Sequence, residues 1–121
     1  MALNHGQRWE TDEPLRLGMQ RIRDAVALPL NEGNASKLSP VQTKGLAHTV
    51  QETVTYLMKN CQLVPEADAN LHVIINDLLT GASLLTTEGQ SDEGLARLHH
   101  ALSEYPRYFN HPNWTPLSSH E

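Results

Sequence analysis

Apolar positions recur at three- and four-residue spacing in four separate stretches of this chain, the period of helices that bury one face. Leu15, Met19, Ile22 and Val26 form the first stripe, and Leu46, Val50, Val54, Leu57 and Cys61 the second. The third is the broadest, with Leu71, Ile74, Ile75, Leu78, Ala82 and Leu85, and Leu95, Leu98, His99 and Leu102 form the fourth. Together with their boundary residues these stripes predict helices over 12–28, 40–61, 65–85 and 92–106. Thr11 and Asp12 are good caps for the first helix, and Pro14 is tolerated in an opening turn. Ser39-Pro40-Val41-Gln42 reads as a capping box, in which a Ser hydroxyl and a Gln side chain satisfy each other's backbone N–H groups. Pro65 opens the third helix, with Glu66 and Asp68 at the positive end of its dipole. Pro29 and Gly33 are expected to close the first helix and Gly89 to turn the third into the fourth. Pro106 is expected to end or kink the fourth near Tyr105.

No alternating, strand-like pattern is apparent. The tail from Tyr108 to Trp114 is aromatic and is expected to pack back onto the helices, ordered to about 116, with fraying beyond. Short connections favour antiparallel neighbours, so the fold expected is all-α, an up-down-up-down four-helix bundle forming one domain over 1–121. A chain of 121 residues is long enough to bury a workable core.

Charge and composition narrow the partners. A net charge of −5, with few Lys and Arg and none clustered, argues against nucleic acid, whose phosphates need such clusters. No apolar run approaches the length of a membrane span. The start, Met1-Ala2-Leu3-Asn4, is not a signal peptide, which fits either a cytoplasmic protein or a mature exported chain. The single cysteine, Cys61, excludes an internal disulfide.

In the expected helix order one end of the bundle collects the reactive side chains. Trp9, Asp12, Arg16 and Met19 come from the first helix region, Met58 and Cys61 from the second, and Asp68 and His72 from the third. The last segment adds Tyr105, Phe109, His111 and Trp114. Thioether, thiol and imidazole together suit a soft or borderline metal, copper before zinc, with Met19, Cys61, His72 and His111 as candidate ligands. Asp68, Tyr105, Arg16 and Asp12 would support them from behind, Asp68 by orienting the His72 imidazole one helical turn on. Met and His are also an axial pair for haem iron. His99 points inward among leucines, whereas His48 and His100 fall on outer faces. Neither a Gly-rich phosphate loop nor an HExxH motif occurs, nor ExxH pairs of the di-iron bundles, so binding is favoured over catalysis.

In outline the chain resembles the cytochrome b562 type of four-helix bundle, which implies haem held between Met19 and His111 or His99. Over most of its length it is also similar to a family of small, uncharacterised proteobacterial proteins. The resemblance lies in Leu3-Asn4-His5-Gly6, Trp9, Thr11-Asp12, Leu15-Arg16, Gly18-Met19 and Ile22-Arg23. It continues in Asn60-Cys61-Gln62-Leu63, Pro65, Ala67-Asp68-Ala69, Leu71-His72, Tyr105, Arg107-Tyr108-Phe109 and His111-Pro112-Asn113-Trp114. It implies export to the periplasm, and no activity. A periplasmic metal-binding protein is the leading expectation. The alternative is a ligand-free interaction module in which Trp9, Phe109 and Trp114 hold the termini and Asp12, Arg16 and Asp68 form a buried polar network. A monomer or a homodimer, pairing through a face that carries His48 or His100, fits either reading.

Overall fold

In a computed structural model, which describes residues 1–31 and 38–117, four helices carry nearly all of the regular structure. A two-residue strand β1, Trp9–Glu10, precedes α1, Glu13–Asn31; then come α2, Pro40–Asn60, α3, Pro65–Leu85, and α4, Ser91–Tyr108. A second short strand β2, Phe109–Asn110, follows α4 and pairs in parallel with β1, Trp9 opposite Phe109 and Glu10 opposite Asn110. The all-α expectation holds, and the helices meet their expected limits to within three residues.

The stripes predicted from spacing form the core. Leu15, Met19, Ile22, Val26, Val50, Leu57, Leu78 and Leu98 are completely enclosed, and Ile74, Ile75, Ala82, Leu85, Leu95 and Leu102 nearly so. Burying one such side chain contributes about 1.5–3 kcal/mol, so these stripes supply most of the driving force for folding. The capping box forms as expected: the Gln42 N–H donates to Ser39 Oγ at 3.2 Å and the Ser39 N–H to Gln42 Oε1 at 2.8 Å.

Three expectations are corrected. Pro29 does not close α1, which continues to Asn31; the N–H it lacks would bond only the Ala25 carbonyl one turn back, and one lost bond near the helix end is tolerated. Gly33 lies outside the described residues. Pro106 likewise sits inside α4, which runs to Tyr108 and closes with the Phe109 N–H on the Tyr105 carbonyl. The β1–β2 pair was not anticipated, because two residues are too few to show alternation.

Glycine sets how closely the helices approach. A Cβ on Gly18 of α1 would lie 2.4 Å from a Leu57 methyl of α2, and one on Gly94 of α4 would lie 2.7 Å from the Gly81 carbonyl oxygen and the Leu85 nitrogen of α3. Gly89, with φ +77°, turns α3 into α4 in the left-handed region that favours glycine. No described helix is long and apolar enough to cross a membrane.

Candidate functional site

The chain on either side of Asp12 draws the ends of several elements together. Asp12 Oδ1 accepts the Leu15 N–H at 3.0 Å and so caps α1; Oδ2 accepts the Gln62 N–H, just beyond α2, at 2.7 Å. One carboxylate therefore ties the start of α1 to the finish of α2. Arg16 donates to the Thr11 carbonyl and to Thr11 Oγ1, and the Thr11 hydroxyl donates to the Asn110 carbonyl at 2.8 Å. The buried Asp12–Arg16–Asp68 network is thus replaced by separate links, since Arg16 finds neutral acceptors within its own turn and Asp12 is occupied by backbone N–H groups.

Cys61 occupies the C-cap of α2, half-buried, beside Asp12 and Asp68. Loss of solvent, then the two carboxylates, push its thiol up to about 12, so it stays protonated near neutral pH. The surroundings that disfavour a thiolate are negative, and they would attract a cation.

Tyr105 and His111 form a second, drier group. The Tyr105 ring is fully enclosed, stacks on Phe109 at 5.5 Å, and meets Trp114 edge-on at 4.9 Å. Its hydroxyl bonds His111 Nδ1 at 2.7 Å. Burial pushes the phenol well above its ordinary value, so the hydroxyl keeps its proton, and that buried proton is satisfied when it is donated to Nδ1. A neutral imidazole accepting there carries its own hydrogen on Nε2. His111 in this state presents no lone pair to a metal.

His72 has the opposite arrangement. Its Nδ1 lies 2.8 Å from the Asp68 carbonyl oxygen and 3.5 Å from the Asp68 carboxylate. A carbonyl can only accept, so a hydrogen sits on Nδ1, and in the neutral ring this leaves the Nε2 lone pair for a metal, one of the two tautomers that ligating histidines use. The imidazole is 53% exposed.

The eight expected site residues thus divide. Cys61, Asp68 and His72 line one cleft of about 280 Å³, together with Met58, Leu57, Gln62, Leu63, Leu71 and Ile75. Tyr105 and His111 pair inside the aromatic group, Arg16 and Asp12 make the links above, and Met19 is enclosed in the core. Met58, which follows Leu57 by one residue and so is turned off the buried face, is 62% exposed. Inward-facing His99 is half-buried, with Nε2 enclosed and without a partner. Of the expected haem axial pair, Met19 is wholly surrounded in the core and His111 Nδ1 is bonded to the Tyr105 hydroxyl. Among the described residues no three His, Cys, Asp or Glu side chains stand close enough to hold a metal ion as they are. The residue missed from sequence is Asn70, 6% exposed on α3; a polar residue on a stripe otherwise apolar was the available signal. No family model matches the chain, and neither does any curated protein or solved structure.

Burial, and then the Arg16 charge, hold the His111 imidazole below its ordinary value. The unfolded chain therefore binds a proton more readily, and the contribution of His111 to stability is complete above about pH 6.5 and lost as pH falls through its folded value. Urea midpoints measured from pH 7.5 to 5 are expected to fall in the wild type, and to fall less in His111→Gln. Parallel pH profiles would assign the loss to other groups.

Proposed function

We propose that this chain is a small binding domain, an up-down-up-down antiparallel bundle, that takes a soft metal ion, copper(I) before zinc, in the cleft beside Cys61. The observation that carries the reading is the meeting in one cleft of the Cys61 thiol, the Met58 thioether and a His72 imidazole whose Nε2 lone pair is free. Sulfur and imidazole donors favour copper(I) over harder cations, and Asp12 and Asp68 add negative charge. His72 and Met58 are more than half exposed and can turn toward an ion, which displaces the thiol proton to solvent as it binds. Met19 and His111, expected as ligands, take structural roles here: one fills the core, the other fixes Tyr105. A periplasmic setting, which the resemblance to the proteobacterial family implies, suits a thiol whose protonated state slows exchange with disulfides.

Titration of the metal-free protein with copper(I) under reducing conditions tests this. One equivalent should bind the wild type, with at least a tenfold loss of affinity in His72→Ala and in Cys61→Ser, and little change in His111→Gln. Wild-type binding no tighter than that of the Cys61→Ser variant would sink the proposal.

The ligand-free interaction module is a second reading. It draws on the parallel pairing of Trp9–Glu10 with Phe109–Asn110, which joins the chain before α1 to the chain after α4 through backbone hydrogen bonds. Failure of copper binding with the fold intact would favour it.

A further inference from the structure

The segment before α1 is held by bonds to remote parts of the chain. The Ala2 N–H donates to Asn70 Oδ1 at 3.1 Å, and Asn70 Nδ2 donates to the Ala2 carbonyl at 2.6 Å. The amide of a buried side chain on α3 thereby bonds both backbone polar groups of one residue. The Trp9 indole N–H donates to the same carbonyl at 2.8 Å, its ring 9% exposed against the core. Arg8 reaches the Pro106 carbonyl and Asn110 Oδ1, and β1 pairs with β2. Met1 to Arg8 are otherwise exposed throughout. Few bonds and little buried area make such a segment open before the helices do.

Its placement connects it to Cys61. Asn4, Trp9, Glu10, Thr11 and Asp12 form one wall of a cleft of about 370 Å³, and Gln62, Leu63, Val64 and Ala67 form the other. Gln62 and Leu63 also line the cleft that holds Cys61 and His72. The short corner after α2 is thus a shared partition, pinned from the segment's side by the Asp12–Gln62 bond. We infer that residues 1–11 are a strap whose docking on Asn70 and β2 steadies the α2–α3 corner and thereby governs access to the Cys61 thiol. Undocked, the strap removes one wall of the partition and leaves the corner held from that side by the Asp12–Gln62 bond alone. The thiol then meets an incoming reagent or ion more often. The inference rests on Cys61 being the working group of the cleft, but not on copper being what it binds.

The test is the rate of Cys61 alkylation by iodoacetamide in metal-free protein with a chelator present, followed against urea concentration. Two variants loosen the strap differently: Asn70→Ala removes both amide bonds, and Ala2→Pro removes one N–H while leaving the helices untouched. Loss of bonds of this size is expected to raise labelling about tenfold in Asn70→Ala and severalfold in Ala2→Pro. The urea slope should stay shallower than that of global unfolding, and hydrogen exchange in the centre of α3 should not accelerate in Ala2→Pro. Wild-type rates in both variants, or labelling that follows global unfolding in both, would overturn the inference. Copper binding that fails while labelling responds would remove the metal and leave the strap.

Discussion

Replacing Gly94 with alanine is expected to destabilise the protein by about 2 kcal/mol or more, even though alanine is the better helix former. Propensity alone favours the substitution by about 1 kcal/mol. Against it, the new Cβ would stand 2.7 Å from both the Gly81 carbonyl oxygen and the Leu85 nitrogen, and 3.1 Å from the Leu84 carbonyl carbon. All three are backbone atoms of α3, so no side chain can turn aside, and relief requires α3 and α4 to separate along a packed interface. Gly45→Ala is the matched control: its Cβ would meet nothing within 4 Å, and it should gain up to about 1 kcal/mol. Thermal melts should show a fall in Tm of roughly 8 °C for Gly94→Ala and a small rise for Gly45→Ala. A Gly94→Ala protein that melts with the wild type would mean that α3 and α4 are not this close.

Phe109→Ala is expected to cost about 3–5 kcal/mol, a large share of the 5–15 kcal/mol by which domains of this kind are stable. Phe109 is fully enclosed, stacks on Tyr105, and holds the backbone that pairs with Trp9. Its loss leaves a cavity between the last turn of α4 and the first residues of the chain, so both ends should loosen together. Urea denaturation measures the stability, and exchange of the Trp9 indole N–H measures the coupling. Phe109→Leu, which keeps most of the volume, should retain slow Trp9 exchange at a smaller loss of stability. If Trp9 stays protected in Phe109→Ala, the two termini are held independently.

The helical stripes were legible because every position in them reports one simple quantity, whether a side chain faces water. Leu15, Met19, Ile22 and Val26 fall on one face at helical spacing, and all four are enclosed. The capping box at Ser39 was legible for the same local reason, since both of its bonds lie within four residues. Pro29 and Pro106 misled because a breaker's effect depends on how much helix lies beyond it, which the residue itself does not reveal.

The candidate site was legible as a set of residue types and not as a geometry. That Cys61, Asp68 and His72 would share a neighbourhood follows from short-range order, as α2 ends where α3 begins. Which nitrogen of His72 and of His111 is available does not follow, because it depends on a carbonyl one turn back in one case and a buried phenol in the other. Met19 stays in the core with its stripe while Met58 stands at the surface, a difference of helical phase. By itself the sequence determined four amphipathic helices, their caps and a concentration of sulfur and imidazole near one end, since period and local hydrogen bonding act within a few residues. Only the tertiary structure decided the closeness of α3 and α4, the Ala2–Asn70 clasp, the β1–β2 pair and the division of the expected ligands. Each joins residues distant along the chain, and their positions are set by packing, which no local pattern encodes.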